Sequence, residues 1–176
     1  DSFKGSLTSE EVAEAFVAGV RDVAPEVECC VVAIADGGEG MAEAIVGSLG
    51  GEMVATSAHD PLGRVIETQY GIIDNGVTAI IPISSASGLT LLGADERDAL
   101  NATTYGTGEL IVDAVGRGCR RIVVGLGGSA TNDGGVGLLR ALGYKFLDAN
   151  NIELTNTIEL LEWVATILPP ANSPVE

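Results

Sequence analysis

The sequence predicts an α/β fold whose working edge is built from glycine-rich loops. Three observations carry this. Strand-like apolar runs alternate with amphipathic helical segments, and glycine clusters sit where one gives way to the other. The chain is also long and apolar enough for a core, with 176 residues of which 46% are hydrophobic. Its 24 glycines are nearly double the share expected from an average usage of about 7%. They stand in discrete clusters, so the chain is neither repetitive nor of low complexity.

The first helix is predicted over LTSEEVAEAFVAGVRDV, residues 7–23. Thr8 is a natural N-cap with Glu11 three positions on, and Leu7 and Val12 suit a hydrophobic staple. Val12, Phe16, Val20 and Val23 recur at helical spacing as one apolar face. Residues 27–35, VECCVVAIA, read as a buried strand that stops at the loop Asp36-Gly37-Gly38-Glu39-Gly40. A second helix, MAEAIVGSL, follows and closes at Gly50 and Gly51. Residues 52–83 read as strands, with turns at 60–63 and at Asp74-Asn75-Gly76, where Asn-Gly between apolar runs signals a hairpin.

Residues 84–108 are loop-rich. A helix follows with Leu110, Ile111, Ala114 and Val115 apolar, then a strand over RRIVVG, a glycine loop, a helix over GGVGLLRALG and a short strand and turn over YKFLDANN. The β-rich stretch interrupts an otherwise alternating pattern. The expected organisation is therefore one incomplete α/β domain from 1–55 and 100–154, a β-rich segment of a second domain at 56–99, and a connecting segment at 155–176. The chain opens on loop-like residues, so a strand before Asp1 and further protein after Glu176 are expected.

Charge narrows the partners. The formal net charge is −16, a surface that repels nucleic acid and anionic membranes. A phosphate or carboxylate ligand then needs a local positive site, and the only lysines are Lys4 and Lys145. Cys29, Cys30 and Cys119 are odd in number with an adjacent pair, which is not a disulfide framework. The single histidine, His59, reads as a surface turn residue before Pro61 and has no zinc-like spacing around it. With no signal peptide and no apolar run of about 18 residues, the expected compartment is the cytoplasm.

Four glycine-rich turns stand beside strands or helices: Lys4-Gly5-Ser6, 36–40, 103–108 and 125–135. Such turns converge backbone N–H groups on phosphate oxygens at a helix start. The loop acids Asp1, Asp36, Glu39 and Asp133 could hold Mg²⁺ beside phosphate, accept a hydroxyl proton, or simply cap helices. Neither a P-loop nor the protein-kinase signature set is present. A dinucleotide fingerprint does fit: Gly125-Leu126-Gly127-Gly128-Ser129-Ala130 follows a strand, and Asp148 lies about 20 residues on. Against it, residues 131–135 postpone the helix.

Taken in order, DSFKGSLTSEEVAEA, ADGGEGMAEAI, DPLGRVIE, ASGLTLL, TTYGTGELI and VGLGGSATNDGGVGLLRALGYKFLD resemble the type I glycerate kinase family over most of residues 1–150. The resemblance implies an ATP- and Mg²⁺-dependent cytoplasmic enzyme that phosphorylates glycerate, with 2-phosphoglycerate favoured over 3-phosphoglycerate. It also implies two α/β domains, one with a Rossmann- or flavodoxin-like parallel sheet, and an active site between them. A nucleotide-binding module without catalysis, or a dinucleotide-dependent oxidoreductase, are the alternatives.

The motif positions carried over are Asp1, Ser2, Lys4 and Ser6, then Asp36, Gly37, Gly38 and Glu39. Thr104, Tyr105, Gly106, Thr107 and Gly108 follow, and the last group is Gly127, Gly128, Ser129, Ala130, Asn132, Asp133, Gly134 and Gly135. Lys4 is expected to neutralise substrate or phosphate charge, Asp36 to accept the proton, and Asp133 to stand near the metal. The chain departs from the family at IIPISSASGL, where Pro82, Ser84 and Ser85 replace an acid and alanines.

Overall fold

A computed structural model describes residues 6–32, 34, 36–155 and 157–171. Asp1, Ser2 and Lys4 lie outside the described residues.

The chain folds as α1 (Ser9–Val23), α2 (Met41–Leu49), β1 (Glu52–His59), β2 (Val65–Ile73), β3 (Thr78–Pro82), a one-turn α3 (Ser84–Ser87), α4 (Tyr105–Gly116), β4 (Arg121–Gly125), α5 (Val136–Ala141), β5 (Lys145–Leu147), α6 (Thr157–Trp163) and β6 (Thr166–Leu168). The α/β class is as expected. The main sheet is mixed and runs β1-β2-β3-β4. β1 and β2 form a hairpin from Glu52↔Ile72 to His59↔Val65, β2 and β3 are antiparallel, and β3 and β4 are parallel. The expected hairpin turn is present: Asp74, Asn75 and Gly76 all take positive φ. Residues 52–82 thus share one sheet with β4. Residues 155–171 carry α6 and β6, and β6 pairs antiparallel with β5.

Strand alternation sets the layers. Val54, Ala58, Tyr70, Ile72, Ala79 and Ile81 face Leu110, Ile111 and Ala114 of α4. On the other face Ile73 and Ile80 meet Met41 and Ala42 of α2. β3 has Ala79 and Ile81 on one side and Ile80 on the other, and it is buried throughout. Such a strand reads as an unbroken apolar run. Tyr70, fully buried, donates its hydroxyl to Asp113 Oδ2 at 2.7 Å. Burial and the Asp113 carboxylate both hold its pKa far above the ordinary phenol value.

The first helix forms where expected, with the full capping box. The Thr8 side chain accepts from Glu11 N–H at 3.2 Å, and Thr8 N–H donates to Glu11 at 2.7 Å. Its apolar face is not covered, however. No residue of α1 is buried, and Phe16 and Val23 are 74% and 87% exposed.

The expected strand at 27–35 is a correction. Its described residues form no strand, and Val31, Val32 and Ile34 are exposed. An apolar run becomes a buried strand only when a neighbouring strand pairs its backbone, and nothing among the described residues does so.

Candidate functional site

β1, β3 and β4 point the same way, so their carboxyl ends at His59, Pro82 and Gly125 lie on one edge of the sheet. In open α/β sheets that edge is where ligands gather. The loops 36–40, 83–104 and 126–135 meet there.

Two of the glycine loops pack backbone on backbone. Gly127 N–H donates to the Gly37 carbonyl at 3.0 Å. A Cβ on Gly127 would meet Gly38 N at 2.6 Å and Asp36 Oδ1 at 3.0 Å. A Cβ on Gly125 would run into the Gly37 carbonyl and Met41 Sδ. Glycine is required here because one loop seats on the other. Behind them, Ala130 N–H donates to the Ser87 carbonyl and Leu89 N–H to the Gly128 carbonyl, both at 2.8 Å.

Asp36 itself is exposed. Its Oδ1 accepts Gly38 N–H at 3.0 Å, and Oδ2 meets no partner among the described residues. Glu39 and Asn132 are exposed, while Ser129 is half-buried and hydrogen-bonds Thr131. Ser6 is exposed as well. Ser84, at the departure from the family pattern, is buried against Gly128.

Asp133 differs sharply. It is 1% exposed and gathers five donors: Gly135 N–H on Oδ1, and Thr104 N–H, Thr104 hydroxyl, Gly137 N–H and the Thr103 hydroxyl on Oδ2, at 2.8–3.5 Å. The Thr104 hydroxyl accepts Leu138 N–H in turn, at 2.9 Å. Asp133 thereby ties the start of α4 to the start of α5. Its Oδ2 is taken up by N–H and O–H donors while Oδ1 accepts only Gly135 N–H, so what sets Asp133 apart from an open, metal-facing carboxylate is its burial. Among the described residues no group of three or more His, Cys, Asp or Glu could hold a metal ion. Mg²⁺ is content with one or two carboxylates plus phosphate, and among the described residues the carboxylates left open at this edge are Asp36 and Glu39.

The expected binding run 104–108 is mostly interior. Thr107 is fully buried and shares a 2.7 Å hydrogen bond with Ser87. Gly106 lies so close to the His59 carbonyl that a Cβ would overlap it, and Gly108 lets α4 reach Leu138 and Ala141 of α5. Only Tyr105 of the run is half-exposed.

The residue that sequence analysis passed over is His59. It closes β1, and its Nδ1 meets both Glu109 oxygens, at 2.8 and 3.0 Å, while its backbone N–H donates to Oε2 at 2.8 Å. Tyr105 packs edge-on against the ring, 5.9 Å away. The reading of His59 as a simple surface turn residue is therefore corrected. Its partner lies 50 positions away, and no local pattern signals it. Beside it opens a cavity of about 280 Å³ that also takes in Thr103, Arg140 and Thr155.

The dinucleotide alternative loses its geometry. α5 begins at Val136, well after Ala130, and Asp148 folds onto its own turn by accepting the N–H groups of Asn150 and Ile152 at 2.8 Å. In that fingerprint the helix starts within the motif and the acid stays open for a ribose. Among the described residues no helix is long and apolar enough to cross a membrane.

These features define a layered α/β protein whose ligand-facing edge is assembled from glycine loops at the carboxyl ends of parallel strands. Within that class the chain belongs to the glycerate kinase family, whose model matches residues 1–173. It is 45% identical over 154 residues to a glycerate 2-kinase of Escherichia coli (strain K12), covering 88% of this chain and 40% of that protein. It is 42% identical over 154 residues to a glycerate kinase of Bacillus subtilis (strain 168), again covering 88% of this chain and 40% of the relative. A crystal structure from Salmonella typhimurium LT2, described as a glycerate kinase 2, superposes with a TM-score of 0.78 at 40% identity, covering 95% of this chain and 45% of that one. The chain thus spans about 40% of the length of these curated relatives.

Proposed function

We propose that the protein carrying this chain phosphorylates glycerate with ATP, at the 2-position rather than the 3-position, in the cytoplasm. What carries the reading is membership of the family together with glycine loops and open carboxylates at one sheet edge. Phosphoryl transfer needs mostly positioning and charge neutralisation. The N–H groups of Gly38, Gly127, Ala130, Thr131 and Gly135 are bonded within the protein, so those of the exposed residues Glu39, Gly40, Gly128, Asn132 and Gly134 are the ones that suit the nucleotide phosphates. Mg²⁺, when bound with the nucleotide, offsets phosphate charge, and Glu39 would meet it.

Asp36 is the proton acceptor in this proposal. One of its oxygens is anchored to Gly38 and the other is open, so a hydroxyl of the acid can pass its proton there as it attacks the γ-phosphorus. Lys4 neutralises phosphate or carboxylate charge. Asp133 holds the loops in register and takes no part in the proton transfer. The arrangement of the two α/β domains is proposed on the same footing, with the described sheet forming one body against which the remaining protein closes.

A coupled ADP-release assay on the full-length protein with D-glycerate tests the reading, with phosphorus NMR identifying the hydroxyl. Turnover giving 2-phosphoglycerate is expected. A folded protein silent across a panel of small hydroxy acids would overturn it. Lys4→Ala should lower kcat/KM by about a hundredfold or more.

A further inference from the structure

The strong negative charge requires a local cation wherever a small anion binds, and Arg140 is such a cation. It is half-buried on α5 and donates Nη1–H to the Thr155 carbonyl at 2.8 Å. Arg64, Arg117, Arg121 and Lys145 each pair with carboxylates. Arg140 has no carboxylate partner among the described residues; it bonds the Thr155 carbonyl and lines the cavity.

His59 stands on the same cavity. Glu109 fixes the ring through Nδ1, and no partner among the described residues meets Nε2. In the tautomer that donates Nδ1–H to Glu109, Nε2 is the acceptor nitrogen of the ring. A guanidinium fork and an oriented imidazole acceptor across one cavity match a carboxylate and a neighbouring hydroxyl on one small molecule. The volume of about 280 Å³ lies at the low end for ligand pockets. That is room enough for a three-carbon acid. The cavity also adjoins the glycine edge: Thr103 lines it and reaches Asp133 at 3.5 Å.

We propose that this cavity is the hydroxy-acid pocket, with Arg140 holding the carboxylate and His59 Nε2 accepting from a hydroxyl. The assignment rests on the glycerate kinase reading for the identity of the acid, but it concerns binding alone. Glu109 acts through His59 as a positioning residue.

Calorimetry and kinetics on the full-length protein test it together. D-glycerate should bind to the wild type. Glyceramide, which lacks the charge, should bind about thirtyfold or more weakly, on the scale of a truncated charge pair. Arg140→Gln should raise the glycerate Kd and KM by a similar factor and leave glyceramide binding and the ATP KM within about twofold, with Arg140→Lys recovering part of the loss. His59→Phe should weaken glycerate but not propanoate, which has no hydroxyl. Unchanged ATP binding in each variant shows that the fold persists. If Arg140→Gln leaves glycerate binding unchanged, or weakens ATP or inorganic phosphate instead, the assignment is wrong. Phosphorylation insensitive to Arg140 would overturn the pocket and leave the kinase reading intact. Arg140-dependent glycerate binding without turnover would keep the pocket and overturn the kinase reading.

Discussion

Asp36-Gly37-Gly38 and Asp133-Gly134-Gly135 are the same tripeptide, and each stands shortly before a helix. Each aspartate also makes the same local turn, with Oδ1 accepting the N–H two residues on at 3.0 Å. There the likeness ends. Asp36 lies at the surface with its second oxygen open, whereas Asp133 is buried and its second oxygen gathers donors from Thr103, Thr104 and Gly137. The difference teaches that an Asp-Gly-Gly sequence specifies a turn and leaves the role of the carboxylate to whatever packs against it. Asp60 is a third case. Its Oδ1 accepts from Leu62 N–H two residues on and from Arg64 N–H, and its Oδ2 takes Arg64 Nε at 2.6 Å.

The largest effect should separate the first two. Asp133→Ala leaves several interior donors without an acceptor, and unfolding in urea should show a loss of about 3–5 kcal/mol. Asp36→Ala should lose no more than about 1 kcal/mol, while its kcat falls by about a hundredfold or more. Equal losses of stability would erase the contrast, and an active Asp36→Ala enzyme would remove its chemical half.

The glycines give a smaller contrast. A Cβ at Gly137 would press into the Thr103 hydroxyl and come within 2.8 Å of Asp133 Oδ2, so Gly137→Ala should cost about 2–3 kcal/mol. Gly134 has φ +62° but open space around it. Gly134→Ala should cost only the left-handed backbone penalty of about 1–2 kcal/mol. Thermal melts of the two variants compare them directly, and a reversed order would mean that the α4–α5 junction relaxes freely.

Acid sharpens the third case by the smallest margin. Burial pushes the Asp60 carboxyl up, but the hydrogen bonds and charge of Arg64 outweigh it, so the pKa lies below the ordinary 3.8. A depressed carboxylate stabilises the fold above its unfolded value, and that contribution disappears as pH falls through the folded one. Asp60→Asn should therefore sit about 1–3 kcal/mol below wild type near neutrality. The gap should close below about pH 3.8. Urea midpoints measured from pH 7 to pH 3 read this out, and a gap that widens in acid would contradict the sign.

β3 and α4 are apolar in sequence and buried in space. α1 carries an apolar stripe and Val31, Val32 and Ile34 an apolar run, yet Phe16, Val23, Val31, Val32 and Ile34 are exposed. Periodicity announces which face wants cover and says nothing about whether a neighbour supplies it.

The sequence by itself determined the local structures: the Thr8–Glu11 capping box, the Asn75-Gly76 turn, the α4 and α5 helices and the Asp-Gly-Gly turns. These depend on contacts a few residues apart, which propensity and spacing encode. Only the tertiary structure decided that Asp133 is a buried clasp and Asp36 an open carboxylate. It alone decided that Gly37 and Gly127 serve each other, and that His59 meets Glu109 from 50 positions away. The physical reason is that burial and hydrogen-bond partners are properties of what lies across space, and identical tripeptides meet different neighbours there.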